Sequence, residues 1–85
     1  MGLIVDFNQG WDSQLRIAIE NALRKSIVGP PDGETWTVSL AAGFAQSYCE
    51  VRVSTLSQTR TRLFFEDSHS WPKAITDWIQ LYPLR

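Results

Sequence analysis

The order in which hydrophobic patterns follow one another constrains this chain more than any other feature of its sequence. An amphipathic helical pattern comes first, three segments of alternating polarity follow, and a second amphipathic helical pattern closes the 85 residues. Apolar residues that recur every three or four positions indicate a helix, whereas strict alternation indicates a strand with one buried face. The order α-β-β-β-α therefore predicts one compact α+β domain that covers residues 1–85.

The first helical pattern is predicted to begin near Trp11 or Ser13 and to end at Ile27, with Asp12 as its N-cap. A run of glycine and proline, Gly29-Pro30-Pro31-Asp32-Gly33, then predicts a turn. It lacks the lysine and hydroxyl ending of a phosphate-binding loop, so that alternative is disfavoured. The predicted apolar face comprises Leu15, Ala18, Ile19, Ala22, Leu23 and Ile27. Ile17 points away from this face and is expected to be exposed.

The second helix is predicted to follow Ser68 or Ser70, either of which can cap it, with Pro72 in its first turn and Pro83 after its end. The apolar face predicted for this helix consists of Trp71, Ala74, Ile75, Trp78, Ile79 and Tyr82. Each helix is apolar on one side only, so both are expected to pack on the same face of the sheet.

The three alternating segments predict an antiparallel meander, because the connections between them are short. The residues expected to face the helices are Trp36, Val38, Leu40, Cys49, Val51, Val53, Thr61, Leu63 and Phe65. The residues expected on the opposite face are Thr35, Thr37, Ser39, Tyr48, Glu50, Arg52, Arg60, Arg62, Phe64 and Glu66. Cross-strand pair preferences favour Tyr48 opposite Phe64 and Glu50 opposite Arg62. Leu3–Phe7 fits either a short edge strand or an extended arm, and no parallel strand pair is expected.

Charge and composition argue against several classes of partner. Eight Lys and Arg against nine Asp and Glu give a net charge of −1, without the basic surplus on which non-specific nucleic-acid binding depends. The same balance disfavours a polybasic membrane contact, and no apolar run approaches the roughly 20 residues of a membrane span. One cysteine cannot form an internal disulfide, and the N-terminus lacks a basic leader. A cytoplasmic location is therefore expected.

The predicted element order is similar to that of the double-stranded-RNA-binding domain. That resemblance implies phosphate contacts from a lysine-rich start of the second helix, where this chain reads Ser-His-Ser-Trp-Pro-Lys-Ala and offers Lys73 alone. It also implies a Gln or Glu of the first helix in the minor groove, and Gln14 or Glu20 would be the residue in question. Phosphate contacts dominate such binding and the lysine-rich segment is missing, so RNA binding is the second hypothesis, behind protein interaction.

A catalytic site is the third hypothesis. Cys49, His69 and Asp67 are the residue types of a thiol triad. Cys49, however, falls on the inward side of a strand, where a free cysteine behaves as a small hydrophobic residue. A single histidine and a single cysteine cannot supply a four-ligand zinc site, and no cofactor motif is present. We therefore expect no enzyme activity, no metal and no cofactor.

The predicted outer face of the sheet is the leading candidate for a binding surface. Arginine and aromatic residues are enriched at the energetic centres of protein interfaces. The residues predicted to bind a protein partner are Tyr48, Arg52, Arg60, Arg62 and Phe64. A competing surface consists of Ile17, the Leu3–Phe7 segment and the tail Tyr82-Pro83-Leu84-Arg85. The sequence thus favours a small protein-interaction domain: a homodimer, an adaptor, or an inhibitor or immunity-type partner.

Overall fold

The structure, a computed structural model, describes residues 2–27, 30 and 33–81. Its strands are β1 (Leu3–Phe7), β2 (Trp36–Ala42), β3 (Cys49–Ser54) and β4 (Thr59–Phe64). Its helices are α1 (Ser13–Ser26) and α2 (Trp71–Leu81). The α+β class is as predicted, and Leu3–Phe7 takes the edge-strand alternative, so the order is β-α-β-β-β-α.

The four strands form one mixed sheet in the order β1-β2-β3-β4. The antiparallel meander of β2, β3 and β4 is as predicted. The expectation that no strands would be parallel is wrong, because β1 runs parallel to β2. Helix α1 connects these two strands and brings the chain back to the same end of the sheet, which a parallel pair requires. Leu3, Val5 and Phe7 thereby join the buried side of the sheet.

Helix α1 begins and ends close to its predicted bounds. The Asp12 carboxylate accepts a hydrogen bond from the Leu15 N–H at 3.0 Å, which satisfies one of the free donors of the first turn. Ile19, Leu23 and Ile27 are buried, whereas Ile17 is exposed as predicted. Of the predicted turn Gly29–Gly33, residues 29, 31 and 32 lie outside the described residues.

Helix α2 follows a short 3₁₀ turn, Ser68–Ser70, and buries the apolar face predicted for it. Trp71 and Ile75 are fully buried, and the Thr76 hydroxyl donates to the Pro72 carbonyl oxygen at 3.0 Å. The predicted contribution of Tyr82 and the predicted stop at Pro83 lie outside the described residues.

Tryptophan side chains connect the layers of the core. Trp36, Trp71 and Trp78 are buried in the cluster that joins both helices to the sheet, and Trp11 packs against it. The Trp11 ring lies edge-on to Phe7 at 5.1 Å and to Trp71 at 5.9 Å between ring centroids. Aromatic rings of this size bury on the order of 150–250 Å² each, so few residues suffice to build the core.

The predicted register between β3 and β4 is wrong by one residue. Phe64 lies opposite Cys49 rather than Tyr48, and Arg62 lies opposite Val51 rather than Glu50. A shift of one residue moves every side chain of a strand to the other face of the sheet. Phe64 is therefore fully buried, and Leu63 and Phe65 are exposed, which reverses the prediction for all three.

The tight connection between the two strands sets this register. Thr55 and Gln58 form the last pair, with the Thr55 N–H donating to the Gln58 carbonyl oxygen at 2.8 Å, and only two residues lie between them. The adjacent phenylalanines 64 and 65 supply one inward ring in either register. Because β4 is an edge strand, Arg60 and Arg62 can point to the helix side and keep their charged ends near solvent.

The two adjacent phenylalanines provide a test of the observed register. Phe64→Ala should lower the free energy of unfolding by about 3–5 kcal/mol, because it leaves a cavity beneath Trp78, whose ring centroid is 5.7 Å from that of Phe64. Phe65→Ala should cost less than about 1 kcal/mol, because 69 % of Phe65 is exposed. Urea unfolding of both variants measures the difference, and equal losses would contradict the register.

Candidate protein-binding surface

One face of the sheet is open. Both helices pack on the other face, and no described element lies over this one, which we call the outer face. The strand registers align its side chains in rows that cross the sheet. One row runs Asp6, Ser39, Arg52 and Thr61, and the next runs Ala41, Glu50 and Leu63. The outer face is thus polar at its middle and apolar toward the end where β4 finishes.

The apolar end of the outer face carries Tyr48, Leu63 and Phe65, which we call the aromatic cluster. The Tyr48 and Phe65 rings lie 5.9 Å apart between centroids, and both are exposed. Leu63, which is also exposed, precedes Phe65 by two positions and points to the same face. Phe44 is 90 % exposed in the connection between β2 and β3. Exposed apolar groups that lie together in this way are typical of contact surfaces for other molecules.

The connection between β2 and β3 holds Tyr48 in place. The Gly43 N–H donates to the Tyr48 carbonyl oxygen at 2.8 Å, and the Tyr48 ring occupies the space that a β-carbon on Gly43 would fill. Ala45 and Gln46 have φ angles of 53° and 55°, a left-handed conformation that non-glycine residues rarely adopt. The Gln46 side-chain amide donates to the Gly10 carbonyl oxygen at 3.3 Å, which links this connection to the one that precedes α1.

The polar part of the outer face carries two acidic groups and one basic group. Asp6, Glu50 and Arg52 surround a shallow depression of about 230 Å³, whose floor is formed by the short side chains of Ser39 and Ala41. The balance of one positive against two negative charges does not favour a nucleic-acid backbone, which requires clustered positive charge. This part of the face can donate and accept hydrogen bonds at the rim of a protein contact.

The structure separates the five residues predicted to bind a partner. Tyr48 and Arg52 lie on the outer face as predicted. Arg60, Arg62 and Phe64 do not, because the observed register turns them to the helix side, where Phe64 belongs to the core. Leu63 and Phe65 take their place.

Sequence reasoning missed Leu63, Phe65 and Phe44 as exposed residues. The phenylalanine pair carries no information about which ring is buried. The only sequence signal for the observed register is the short turn after Thr55. Phe44 follows Gly43 in the connection between two predicted strands, and its place in a loop is the sequence signal that could have indicated its exposure.

The competing surface is only partly described. Ile17 is exposed on α1, and Leu3–Phe7 is an ordered edge strand whose Leu3, Val5 and Phe7 side chains pack on the core. Residues 82–85 lie outside the described part of the chain. Among the described members of this surface, Ile17 on α1 and Ile4 on β1 are therefore the exposed apolar residues through which it could bind.

The residues of the hypothetical thiol triad do not form an accessible site. Cys49 is fully buried between β2 and β4, and burial, followed by the nearby charge of Glu66, raises the pKa of its thiol to about 12. Asp67 and His69 form an exposed pair, with 3.2 Å between Oδ2 and Nδ1. In the part of the chain that the structure describes, no three His, Cys, Asp or Glu side chains are grouped as a metal site requires.

No protein-family model matches this chain, and no curated protein matches it either. Neither described helix is long and apolar enough to cross a lipid bilayer.

The buried thiol should be unreactive in the folded protein. The thiolate is the reactive form, and a pKa near 12 leaves very little of it at pH 8. A thiol reagent at pH 8 should therefore label native Cys49 at least about 100-fold more slowly than the urea-unfolded chain. Rapid labelling of the native protein would show that the thiol is accessible.

The raised pKa of the Cys49 thiol should make the free energy of unfolding depend on pH in the alkaline range. The thiol has an ordinary pKa of 9.0 when unfolded and about 12 when folded, so the unfolded state loses its proton first. The free energy of unfolding should decrease as pH rises from 9 toward 12. The Cys49→Ala variant has no thiol and should lack this pH dependence. The difference in free energy of unfolding between the parent and the variant, measured by urea unfolding, should therefore shrink as pH rises.

A single methyl group at Gly43 should displace the Tyr48 ring. Gly43→Ala should cost about 1 kcal/mol in free energy of unfolding, at the low end of overpacking effects, because the exposed ring can swing outward. In a Tyr48→Ala background the same change should cost almost nothing, since the ring that clashes is gone. Urea unfolding of the four proteins gives this coupling energy, and an unchanged cost in both backgrounds would show that the ring is not the cause.

Proposed function

We propose that this protein is a small non-enzymatic protein-interaction domain that binds another protein chain, its own copy included, through the outer face. The observation that carries the proposal is the aromatic cluster, in which the Tyr48 and Phe65 rings are in contact, exposed and held by a defined backbone. Aromatic anchors surrounded by polar groups are the usual energetic centre of a protein interface.

The rigid support of the cluster favours binding. A side chain that is already held in one position loses less conformational entropy when a partner contacts it. Tyr48 is packed against both Gly43 and Phe65, and Phe65 directly follows the last residue of β4. Arg52 stands in the adjoining polar region and can pair with an acidic group of the partner.

RNA binding, the runner-up, finds little support in the distribution of charge. Lys73, the one basic residue at the start of α2, pairs with Asp77 at 2.9 Å between Nζ and Oδ2. The outer face has more negative than positive groups, so neither surface offers the positive cluster that phosphate binding needs. Enzyme activity is disfavoured by the inaccessible thiol.

Site-directed photo-crosslinking tests the proposal. A benzophenone amino acid at position 65 should form a crosslink to a partner or to a second copy in the native cell. At Leu56, which is equally apolar but lies in the turn at the other end of the sheet, it should not. In binding measurements with the crosslinked partner, Phe65→Ser should weaken the affinity at least about fivefold, and Leu56→Ser should leave it unchanged.

Two results would contradict the outer-face proposal. If Phe65→Ser and Tyr48→Ala bind as tightly as the parent while Ile17→Glu does not, α1 carries the interaction. If the protein shows no protein partner and binds duplex RNA with an affinity that falls steeply with salt, the protein-interaction function itself is wrong.

A further inference from the structure

We propose that the free edge of β4 adds one extended strand of a partner chain, and that this strand carries acidic side chains at alternate positions. The proposal rests on the protein-interaction function proposed above and specifies the chemistry of the partner. It arises from two features of β4: a row of backbone groups directed away from the sheet, and arginines at alternate positions of the same strand.

The free backbone groups follow from the register. The Thr55 N–H donates to the Gln58 carbonyl oxygen, so the hydrogen-bonded pairs that continue the ladder are Val53 with Arg60 and Val51 with Arg62. The N–H and C=O groups of Thr59, Thr61 and Leu63 must then point away from β3. No described residue forms a backbone hydrogen bond along this edge.

The opposite edge of the sheet differs. At β1, the Arg24 guanidinium donates to the Leu3 carbonyl oxygen at 3.4 Å, so one backbone group of that edge has a side-chain partner. No described side chain plays this part at β4. An open edge of this kind is a template for another strand, and main-chain hydrogen bonds supply much of the affinity when a peptide adds to it.

The charge of the edge selects the occupant. Arg60 and Arg62 both point to the helix side of the sheet, two positions apart, so they stand beside alternate residues of any added strand. The Arg62 guanidinium carbon lies 4.7 Å from the centroid of the Phe64 ring, and among the described residues no carboxylate pairs with it. A glutamate or aspartate beside Arg62 would meet its guanidinium, and an acidic residue two positions away would lie beside Arg60, whose Nε donates to the Gln58 Oε1 at 3.1 Å. Apolar side chains between them would meet Leu63 and Phe65 on the outer face.

A second copy of β4 fits this edge less well. Two antiparallel copies overlap most fully when the two-fold axis passes through Thr61 or Arg62. The first arrangement sets Arg60 opposite Arg62, and the second sets Arg62 opposite itself. Like charges directly opposite each other destabilise a strand pair. The arginines therefore discourage self-pairing while they favour an acidic strand.

A short synthetic peptide tests the inference on the intact protein. The probe is acetyl-Thr-Val-Glu-Val-Glu-Val-Thr-amide, and the matched control has glutamine in place of both glutamates. At low ionic strength the glutamate peptide should bind at least about fivefold more tightly than the control, because ion pairs of this kind are screened by salt. Amide NMR signals of Thr61 and Leu63 should shift on binding and become protected from hydrogen exchange.

Variants of the protein and the peptide separate charge from backbone pairing. Arg62→Gln should remove most of the preference for glutamate. Arg16→Gln should not, although Arg16 likewise lies over an aromatic ring, with its guanidinium carbon 5.3 Å from the centroid of Phe7. N-methylation of the three valine amides, or of the two glutamate amides, removes the N–H groups on one edge of the peptide. Only one of these two peptides should lose binding, since a single edge of the added strand meets β4.

Several outcomes would overturn the inference. Equal binding of the glutamate and glutamine peptides would show that the arginines do not select an acidic strand. NMR shifts confined to the outer face would show that the peptide does not bind at the edge of β4. Dimers that protect Thr61 and Leu63 without any peptide would assign the edge to a second copy. If the peptide fails but crosslinking through Phe65 succeeds, only this inference is wrong and the proposed function stands.

Discussion

The short connection between β3 and β4 determines more of this molecule than its size suggests. Because only two residues separate Thr55 from Gln58, the pairing of these two residues sets the pairing of every residue that follows in β4. It places Phe64 under Trp78 in the core and leaves Phe65 on the outer face. The aromatic cluster, the position of the arginines and the pattern of free backbone groups at the edge all depend on this one turn.

Elements with a strong period could be predicted from the sequence. Helix α1 has a single apolar face and an N-cap at Asp12, and β2 and β3 each bury one complete alternating set, so local pattern was sufficient for them. The position of Leu3–Phe7 could not be decided in this way. Five residues fit either a strand or an arm, and only the return of the chain through α1 makes the parallel pairing available.

The binding surface could be predicted only in part, for a related reason. Arg52 lies in β3, which alternates clearly, and Tyr48 directly precedes this strand, so the side of the sheet predicted for both was correct. In β4 one alternating set of side chains contains two apolar residues, Leu63 and Phe65, so the sequence favours this set as the buried one. That preference assumes that the helices cover the whole strand. At an edge, arginine can lie on the helix side and reach solvent, so the preference disappears and turn geometry decides.

The parallel pairing of β1 with β2 has a consequence for how the chain acquires its structure. Strand β1 and helix α1 are synthesised first, but β1 pairs with residues 36–40, and α1 packs against α2 at residues 71–81. The meander of β2, β3 and β4, by contrast, is built from neighbouring segments whose loops are short and inexpensive to close. The buried side of α1 therefore has no α2 to pack against until nearly the whole domain has left the ribosome, and during that interval its apolar residues are open to chaperones and to other nascent chains.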